Sequence, residues 1–177
     1  MKFNLNKVVL ALDRLLISKL IDVIVHENKL YEEILSIARK KTDIIVEGKI
    51  AELQKVTTME QSLVVQIGKL EISREDYTEK ISSELGIGLS DLKISRILEH
   101  IEPEQAKLLK SAQVQLNNTI EQLKSLNDLN SKLIKNSLEY INFSMNILTD
   151  IESNGNNYKS TGQVGEGSKR NFFDVKL

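Results

Sequence analysis

Histidine and cysteine, the residue types most used for metal binding and nucleophilic chemistry, are nearly absent from this chain. It has two histidines, His26 and His100, and no cysteine. Neither histidine has a second one four residues away, the spacing with which one helix face binds zinc. The absence of cysteine excludes disulfide bonds and thiol chemistry. The carboxylates are scattered without metal-ligand spacing. We therefore predict no metal, no cofactor and no catalytic site, so the chain is not expected to be an enzyme.

His26 leaves one alternative open, a histidine phosphotransfer domain in which a helix of a bundle carries a phosphorylated histidine. Lys29 lies three residues after His26, but the bulky Leu30 stands where such domains usually keep a glycine. A histidine on a helix surface is the simpler interpretation. Gly86 and Gly88 are too closely spaced for a phosphate-binding loop, and no Lys-Ser or Lys-Thr pair follows them. They predict a hinge between helices.

The overall composition favours a cytoplasmic helical protein. In 177 residues, 24 Lys and Arg nearly balance 25 Asp and Glu, so no basic surface for nucleic acid or anionic membranes is indicated. One proline and no tryptophan favour a helical bundle over a sheet. No apolar run is long enough to span a bilayer, and the first residues lack the features of a signal peptide. We predict no nucleic-acid partner and no direct membrane insertion.

Two long helices joined by a short turn are predicted before residue 90. The first runs from about Leu5 to Val46 and ends at Glu47-Gly48, where glycine is a natural helix terminator. The second runs from about Lys49 to Leu85 and ends at Gly86. In both segments apolar residues recur in steps of three and four, as they do on one face of a helix. Because the connecting turn is short, we predict an antiparallel hairpin.

Two charged residues interrupt the apolar stripe of each predicted helix. They are Glu27 and Lys41 in the first helix, and Glu60 and Arg74 in the second. One antiparallel register brings Lys41 to Glu60 and Glu27 to Arg74 at the same time. We predict these two pairs, and we expect them to fix the register more than they add stability, because desolvation largely offsets the ion-pair energy. The alternative is that all four side chains extend past the seam to water.

A short helix and a very long one are predicted in the remainder of the chain. Ser90 and Asp91 offer a cap for a short helix that ends at about Ile101. Pro103 suits the first helical position of the next segment, Glu104–Ile151, which contains no glycine or proline. One helix of that length would extend roughly 72 Å. A helix this long needs partner helices to cover its apolar face.

These segments predict an all-α fold, an elongated antiparallel bundle of three long helices plus one short helix, with a flexible C-terminal tail. We assign residues 1–152 to the helical bundle domain and residues 153–177 to the tail. The tail is rich in Asn, Gly and Ser, a composition that cannot bury enough apolar surface to fold. It nevertheless contains Tyr158, Phe172 and Phe173, so we predict that it carries an apolar docking element. The alternative is that the two phenylalanines fold back onto the bundle as a lid.

The second half of the longest helix has more apolar surface than one neighbouring helix would cover. The stripe that holds leucines in the first half continues as Asn130, Ser137 and Ser144, while the adjacent stripes stay apolar. Small polar residues of this kind allow another helix to approach closely. We predict a groove there for an amphipathic helix of a partner. The predicted groove residues are Leu126, Leu133, Ile134, Leu138, Ile141 and Met145. The alternative is that the short helix covers this face as ordinary core.

Several motifs, in their order and spacing, resemble the FlgN-type flagellar export chaperones. One set of residues resembles the family's central signature, with Lys41 before it at the family's usual distance. The set is Glu60-Gln61-Ser62-Leu63-Val64, Ile67, Leu70-Glu71 and Arg74. The family's last long helix is resembled by Leu129-Asn130, Leu133-Ile134 and Ser137-Leu138. Its tail is resembled by Tyr158, Gly162-Gln163 and Phe173-Asp174-Val175-Lys176. The resemblance spans nearly the whole chain.

This resemblance implies a cytoplasmic chaperone that binds hook-filament junction proteins through their C-terminal helical segments. Such a chaperone keeps its clients unassembled and delivers them to the export gate of the flagellar type III system. The receptor for Tyr158, Phe172 and Phe173 would then be the cytoplasmic domain of that gate. The residue patterns by themselves leave a second class open, a self-associating coiled-coil protein whose wide apolar face meets its own copy in a homodimer.

Overall fold

The computed structural model describes residues 12–155 of the chain, and the side chains of residues 12–150. The helices are α1 (Arg14–Val46), α2 (Ile50–Leu85), α3 (Ile94–Leu98) and α4 (Pro103–Gly155). The described part of the chain contains no strand, and the all-α prediction is confirmed. The chain divides into two compact units, one up to Ser131 and one from Lys132. The boundary that we predicted at residue 152 is a different division and stays a prediction.

Local capping explains where the first two helices begin and end. The carboxylate of Asp13 accepts a hydrogen bond of 2.8 Å from the backbone N–H of Leu15, so α1 begins at Arg14. The prediction that this helix already includes residues 12 and 13 is therefore wrong, and residues 5–11 lie outside the described range. Gly86 ends α2 in the left-handed conformation, with a φ of 64°, which glycine adopts without strain.

The short helix is much shorter than the sequence predicts. Leu89–Asp91 form a single 3-10 turn, the next residue is extended, and α3 covers only Ile94–Leu98. The predicted cap at Ser90 and Asp91 is wrong, because the N-cap of α3 is Lys93 and no side chain caps this helix. Without a side-chain cap, a five-residue helix has little stability of its own, so packing has to hold α3 in place.

Helix α1 is the central helix of the first unit because two of its faces are buried. One face is the stripe predicted from the sequence, whose charged members Glu27 and Lys41 bond to α2. The second face is offset from the first by one residue and was not predicted. Its buried members are Ile17, Ile21, Ile24, Asn28, Leu35, Ala38 and Ile45. Two of them, Asn28 and Ala38, make hydrogen bonds to α4, so this face packs against α4.

The direction of α4 in the first unit follows from its hydrogen bonds to α1. Gln105 Nε2 donates to the Arg14 carbonyl at 2.9 Å, and Asn130 Nδ2 donates to the Ala38 carbonyl at 2.9 Å. The residue numbers increase together in both helices, so α4 runs parallel to α1. Helix α2 is antiparallel to α1, as the sequence predicts for a hairpin. Within this unit the three long helices therefore run up, down and up.

Two hydrophobic clusters fill the first unit. The larger one joins all four helices through Ile17, Ile81, Ile97 and Leu109, of which Ile97 comes from α3. The other centres on Leu30, Ile34, Leu35, Ala38, Ile67 and Leu123. Burying a side chain of this size contributes about 1.5–3 kcal/mol relative to leaving it exposed. The contact of Ile97 with the first cluster holds the short α3 against the bundle. No helix in the described range is long and apolar enough to cross a membrane.

Candidate functional site

The second unit exposes apolar side chains along α4, and we call them the 134–148 surface. Its members are Ile134, Leu138, Tyr140, Ile141, Phe143, Met145, Ile147 and Leu148. Leu138 is 56 % exposed and Met145 is 46 % exposed. Leu138, Ile141 and Met145 are spaced by three and four residues, so they share one face of the helix. A run of exposed large apolar residues of this kind is characteristic of an interaction surface.

Four of the six predicted groove residues belong to this surface, namely Ile134, Leu138, Ile141 and Met145. Leu133 is half-buried. Leu126 is also half-buried, but it packs against the cluster around Ile34 and Leu123 in the first unit. The structure therefore brings Leu126 to the core of the bundle.

Asn130 has a different role from the one predicted for it. It is 3 % exposed and lies in the seam between α1 and α4. Its side-chain amide donates to the Ala38 carbonyl at 2.9 Å, and its Oδ1 lies 2.7 Å from the Thr42 hydroxyl. The expectation that Asn130 lies in an open groove and lets a partner helix approach is wrong, because α1 covers α4 as far as this residue. Ser137 and Ser144 instead bond to their own helix, through the carbonyls four residues earlier.

A second buried polar contact joins the same two helices. The Thr119 hydroxyl lies 2.8 Å from Oδ1 of Asn28, whose amide nitrogen donates to Glu32 at 2.8 Å. Sequence reasoning missed this contact. Its only sequence signal is that Asn28 follows the apolar spacing of Ile17, Ile21 and Ile24, a stripe that was not recognised.

The structure forms both predicted charge pairs between α1 and α2. Lys41 Nζ lies 2.5 Å from Oε2 of Glu60, and Arg74 Nε lies 3.2 Å from Oε1 of Glu27. Arg74 also reaches the exposed Glu71 at 3.3 Å. Burial raises the pKa of the Glu27 carboxyl above its usual range, and the positive charge of Arg74 opposes that rise. The ion pair therefore offsets part of the cost of burying this carboxylate.

The potential metal ligands in the described part of the chain are its carboxylates and its two histidines. No group of three His, Cys, Asp or Glu residues could hold a metal ion within the described range. His26 is exposed on α1, and Nδ1 of His100 lies 2.8 Å from the Arg96 carbonyl of the preceding helical turn. The predicted tail residues Tyr158, Phe172 and Phe173 lie outside the described part of the chain. The candidate site is the 134–148 surface, whose apolar side chains are exposed.

Comparison with known proteins identifies the class. A family model described as FlgN protein matches residues 15–166, and the chain therefore belongs to the FlgN family, a family of flagellar export chaperones. The chain is also similar to an uncharacterized protein of Bacillus subtilis, YvyG, with 28 % identity over 148 residues, which covers 83 % of this chain and 90 % of YvyG. No solved structure matches the chain.

Proposed function

We propose that this protein binds the C-terminal helical segments of hook-filament junction proteins in the cytoplasm and delivers them to the flagellar export gate. The observation that carries this proposal is the 134–148 surface, on which Leu138, Ile141 and Met145 form an exposed apolar helix face in a member of a chaperone family. An amphipathic client helix could pack its apolar side along such a face, through apolar side chains spaced by three and four residues. Met145 suits a surface that must adapt to more than one partner.

The client-binding part of the proposal is tested with two added charges. Leu138→Glu combined with Met145→Glu should abolish binding of a client C-terminal peptide in calorimetry, because both carboxylates would have to be buried against the client. Helicity and melting temperature should stay nearly unchanged, since both side chains are exposed. The matched control is Asn142→Glu with Asn146→Glu, which adds the same charge to exposed positions off the 134–148 surface. Equal loss of binding in the control would contradict the proposed surface.

The same surface would also serve the competing function, self-association of two copies. Light scattering after gel filtration separates the two ideas. A chaperone of the proposed kind binds the client peptide with a defined stoichiometry and changes mass when it does so. A stable dimer whose mass is indifferent to the peptide, and which dissociates on Leu138→Glu, would establish self-association instead.

The delivery part of the proposal concerns the tail. We propose that residues 153–177 carry the contact to the cytoplasmic domain of the export gate, through Tyr158, Phe172 and Phe173. Deletion of residues 156–177 should leave client-peptide affinity unchanged and impair export of the client in cells. If the deletion removes client binding or lowers the melting temperature of the bundle, the docking role of the tail is wrong.

A further inference from the structure

A small cavity lies within the first unit, between α1, α2 and α4, with Ile94 of α3 also in its lining. Its volume is about 240 Å³. Ile24, Ile67, Leu116 and Ile120 supply apolar lining. Sites for drug-sized ligands measure about 300–1,000 Å³, so this cavity is sized for a smaller group such as one long side chain. Ile120 is 38 % exposed, and Asn117 and Glu71 are exposed too, so these lining residues lie at the surface of the bundle.

The polar lining of the cavity carries more negative than positive charge. Glu27 and Glu71 contribute two carboxylates, and Arg74 contributes the single positive charge. Arg74 bonds to Oε1 of each carboxylate, at 3.2 Å and 3.3 Å. Within the described residues, no hydrogen bond reaches the second oxygen of either carboxylate. The Glu27 side chain is only 4 % exposed, but its second oxygen is not fully enclosed, so it remains open to a donor that enters the cavity.

Tyr31 also lines the cavity, and the two carboxylates affect the pKa of its hydroxyl. Burial raises the pKa of its hydroxyl, and the negative charges of Glu71 and Glu27 raise it further. The Tyr31 hydroxyl makes no hydrogen bond within the described part of the chain, and neither do the nearby side-chain amides of Gln113 and Asn117. Besides the two carboxylates and Arg74, the lining therefore includes three polar groups that can each donate or accept a hydrogen bond.

We propose that this cavity is a recognition pocket for one basic side chain, lysine or arginine, carried by a polypeptide partner of the protein. The methylene groups of such a side chain would lie against Ile67, Leu116 and Ile120. Its cationic head would reach the second oxygens of Glu27 and Glu71. A neutral apolar side chain would remove the second oxygen of each carboxylate from water without giving it a hydrogen-bond donor, which is unfavourable. A carboxylate would add a third negative charge to the pocket.

The identity of the partner rests on the proposed function, which makes it a client segment. A client helix lying on the bundle would present its side chains toward the surface that it covers, and one basic residue could enter the cavity. The pocket would then add selectivity to an otherwise adaptable apolar contact, because charge complementarity discriminates between partners more than it raises affinity.

The test uses calorimetry with the full chain and synthetic peptides of the client C-terminal segment, each basic residue replaced by methionine in turn. Glu71→Gln should weaken binding of the unsubstituted peptide by about fivefold, the effect of losing one partly exposed charge pair. One methionine peptide should bind more weakly and be indifferent to Glu71→Gln. Glu79→Gln is the matched control, since Glu79 is exposed on the same helix and does not line the cavity.

A second measurement uses the absence of cysteine from the chain. In Asn117→Cys the only thiol lines the cavity, so client peptide should slow its alkylation severalfold. The peptide should not slow alkylation of the control Glu79→Cys. Normal peptide binding that neither Glu71→Gln nor any methionine replacement weakens would overturn the pocket and leave the proposed function standing. Failure of the wild-type chain to bind any client peptide would overturn both.

Discussion

Arg74 on α2 lies 3.2 Å from Glu27 on α1, although the two residues are 47 positions apart in the chain. The two ends of this contact are unequally exposed. The Arg74 side chain is about one third exposed, whereas the Glu27 side chain is almost completely buried. Removing Arg74 should therefore cost a different amount of stability from removing Glu27, because only the Arg74 side chain can turn to water when its partner is lost.

Arg74→Met should destabilise the bundle more than Glu27→Gln does. The first variant leaves a buried carboxylate without its counter-charge, and breaking a buried pair in this way typically costs about 3–5 kcal/mol. The second leaves an arginine that can still pair with Glu71 or reach solvent, so we expect a loss below about 1.5 kcal/mol. Urea unfolding followed by circular dichroism measures both losses. Equal losses would show that the pair is symmetric and that this account of its burial is wrong.

The stability of the bundle should depend on pH through Glu27. Its pKa in the folded protein is raised above the ordinary value of 4.5, mainly because burial disfavours the charged form. The folded state therefore binds the proton more tightly than the unfolded state does, so this carboxyl favours folding most at low pH. Its contribution declines as the pH rises from below 4.5 through the raised folded-state value.

The measurement is the difference in unfolding free energy between the wild type and Glu27→Gln across that range. The wild type should lose stability relative to the variant as the pH rises. Glu33→Gln, which removes an exposed carboxylate from the same helix, serves as the control for the loss of one negative charge. A wild type that instead gains stability relative to Glu27→Gln would mean that Arg74 outweighs burial.

Asn130 should be a structural residue of the seam between α1 and α4. Asn130→Ala removes a buried donor and acceptor that bond to Ala38 and Thr42, and we expect a loss of about 1–3 kcal/mol. Asn127→Ala, an exposed asparagine one turn earlier, should change stability by less than about 0.5 kcal/mol. A neutral Asn130→Ala that also weakens client-peptide binding would restore the role predicted from the sequence.

The pair of Lys41 and Glu60 should fix the register of the α1–α2 hairpin. Lys41→Glu places two carboxylates together and should destabilise the bundle, and Glu60→Lys should do the same with two amines. The double exchange should recover much of the loss, with a coupling energy of about 0.5–3 kcal/mol in a double-mutant cycle. Additive losses in the cycle would show that the two side chains do not interact in solution.

The hairpin was predictable because charges at seam positions constrain its register. Only one antiparallel alignment pairs Lys41 with Glu60 and Glu27 with Arg74 at the same time. The positions of these four charges therefore predicted the register of the hairpin. The exposure of Leu138 and Met145 likewise followed from an apolar surface too wide for the available partners. Both predictions used periodicity, which a sequence displays directly.

The seam between α1 and α4 could not be predicted in the same way. Asn28 and Thr119 are polar residues of types that usually face water. Their burial depends on how α1 packs against α4, and the two residues are 91 positions apart in the chain. The extent of α3 also depended on tertiary packing, since Ile97 is held by the cluster around Leu109. Leu126 was assigned to the groove because the sequence does not show how far along α4 the cover from α1 continues.

The two faces of α1 also differ in when their partners become available. The α2 contacts of Lys41 and Glu27 close loops of 19 and 47 residues, whereas the α4 contacts of Asn28 and Ala38 close loops of 91 and 92 residues. Contacts that are distant in sequence form more slowly, and a chain emerging from the ribosome makes its N-terminal contacts first. The hairpin can therefore assemble during synthesis, while Ile17, Ile24 and Ala38 stay uncovered until α4 has been translated. During that interval the nascent chain exposes an apolar helix face of its own, which is an aggregation hazard for a protein that belongs to a chaperone family.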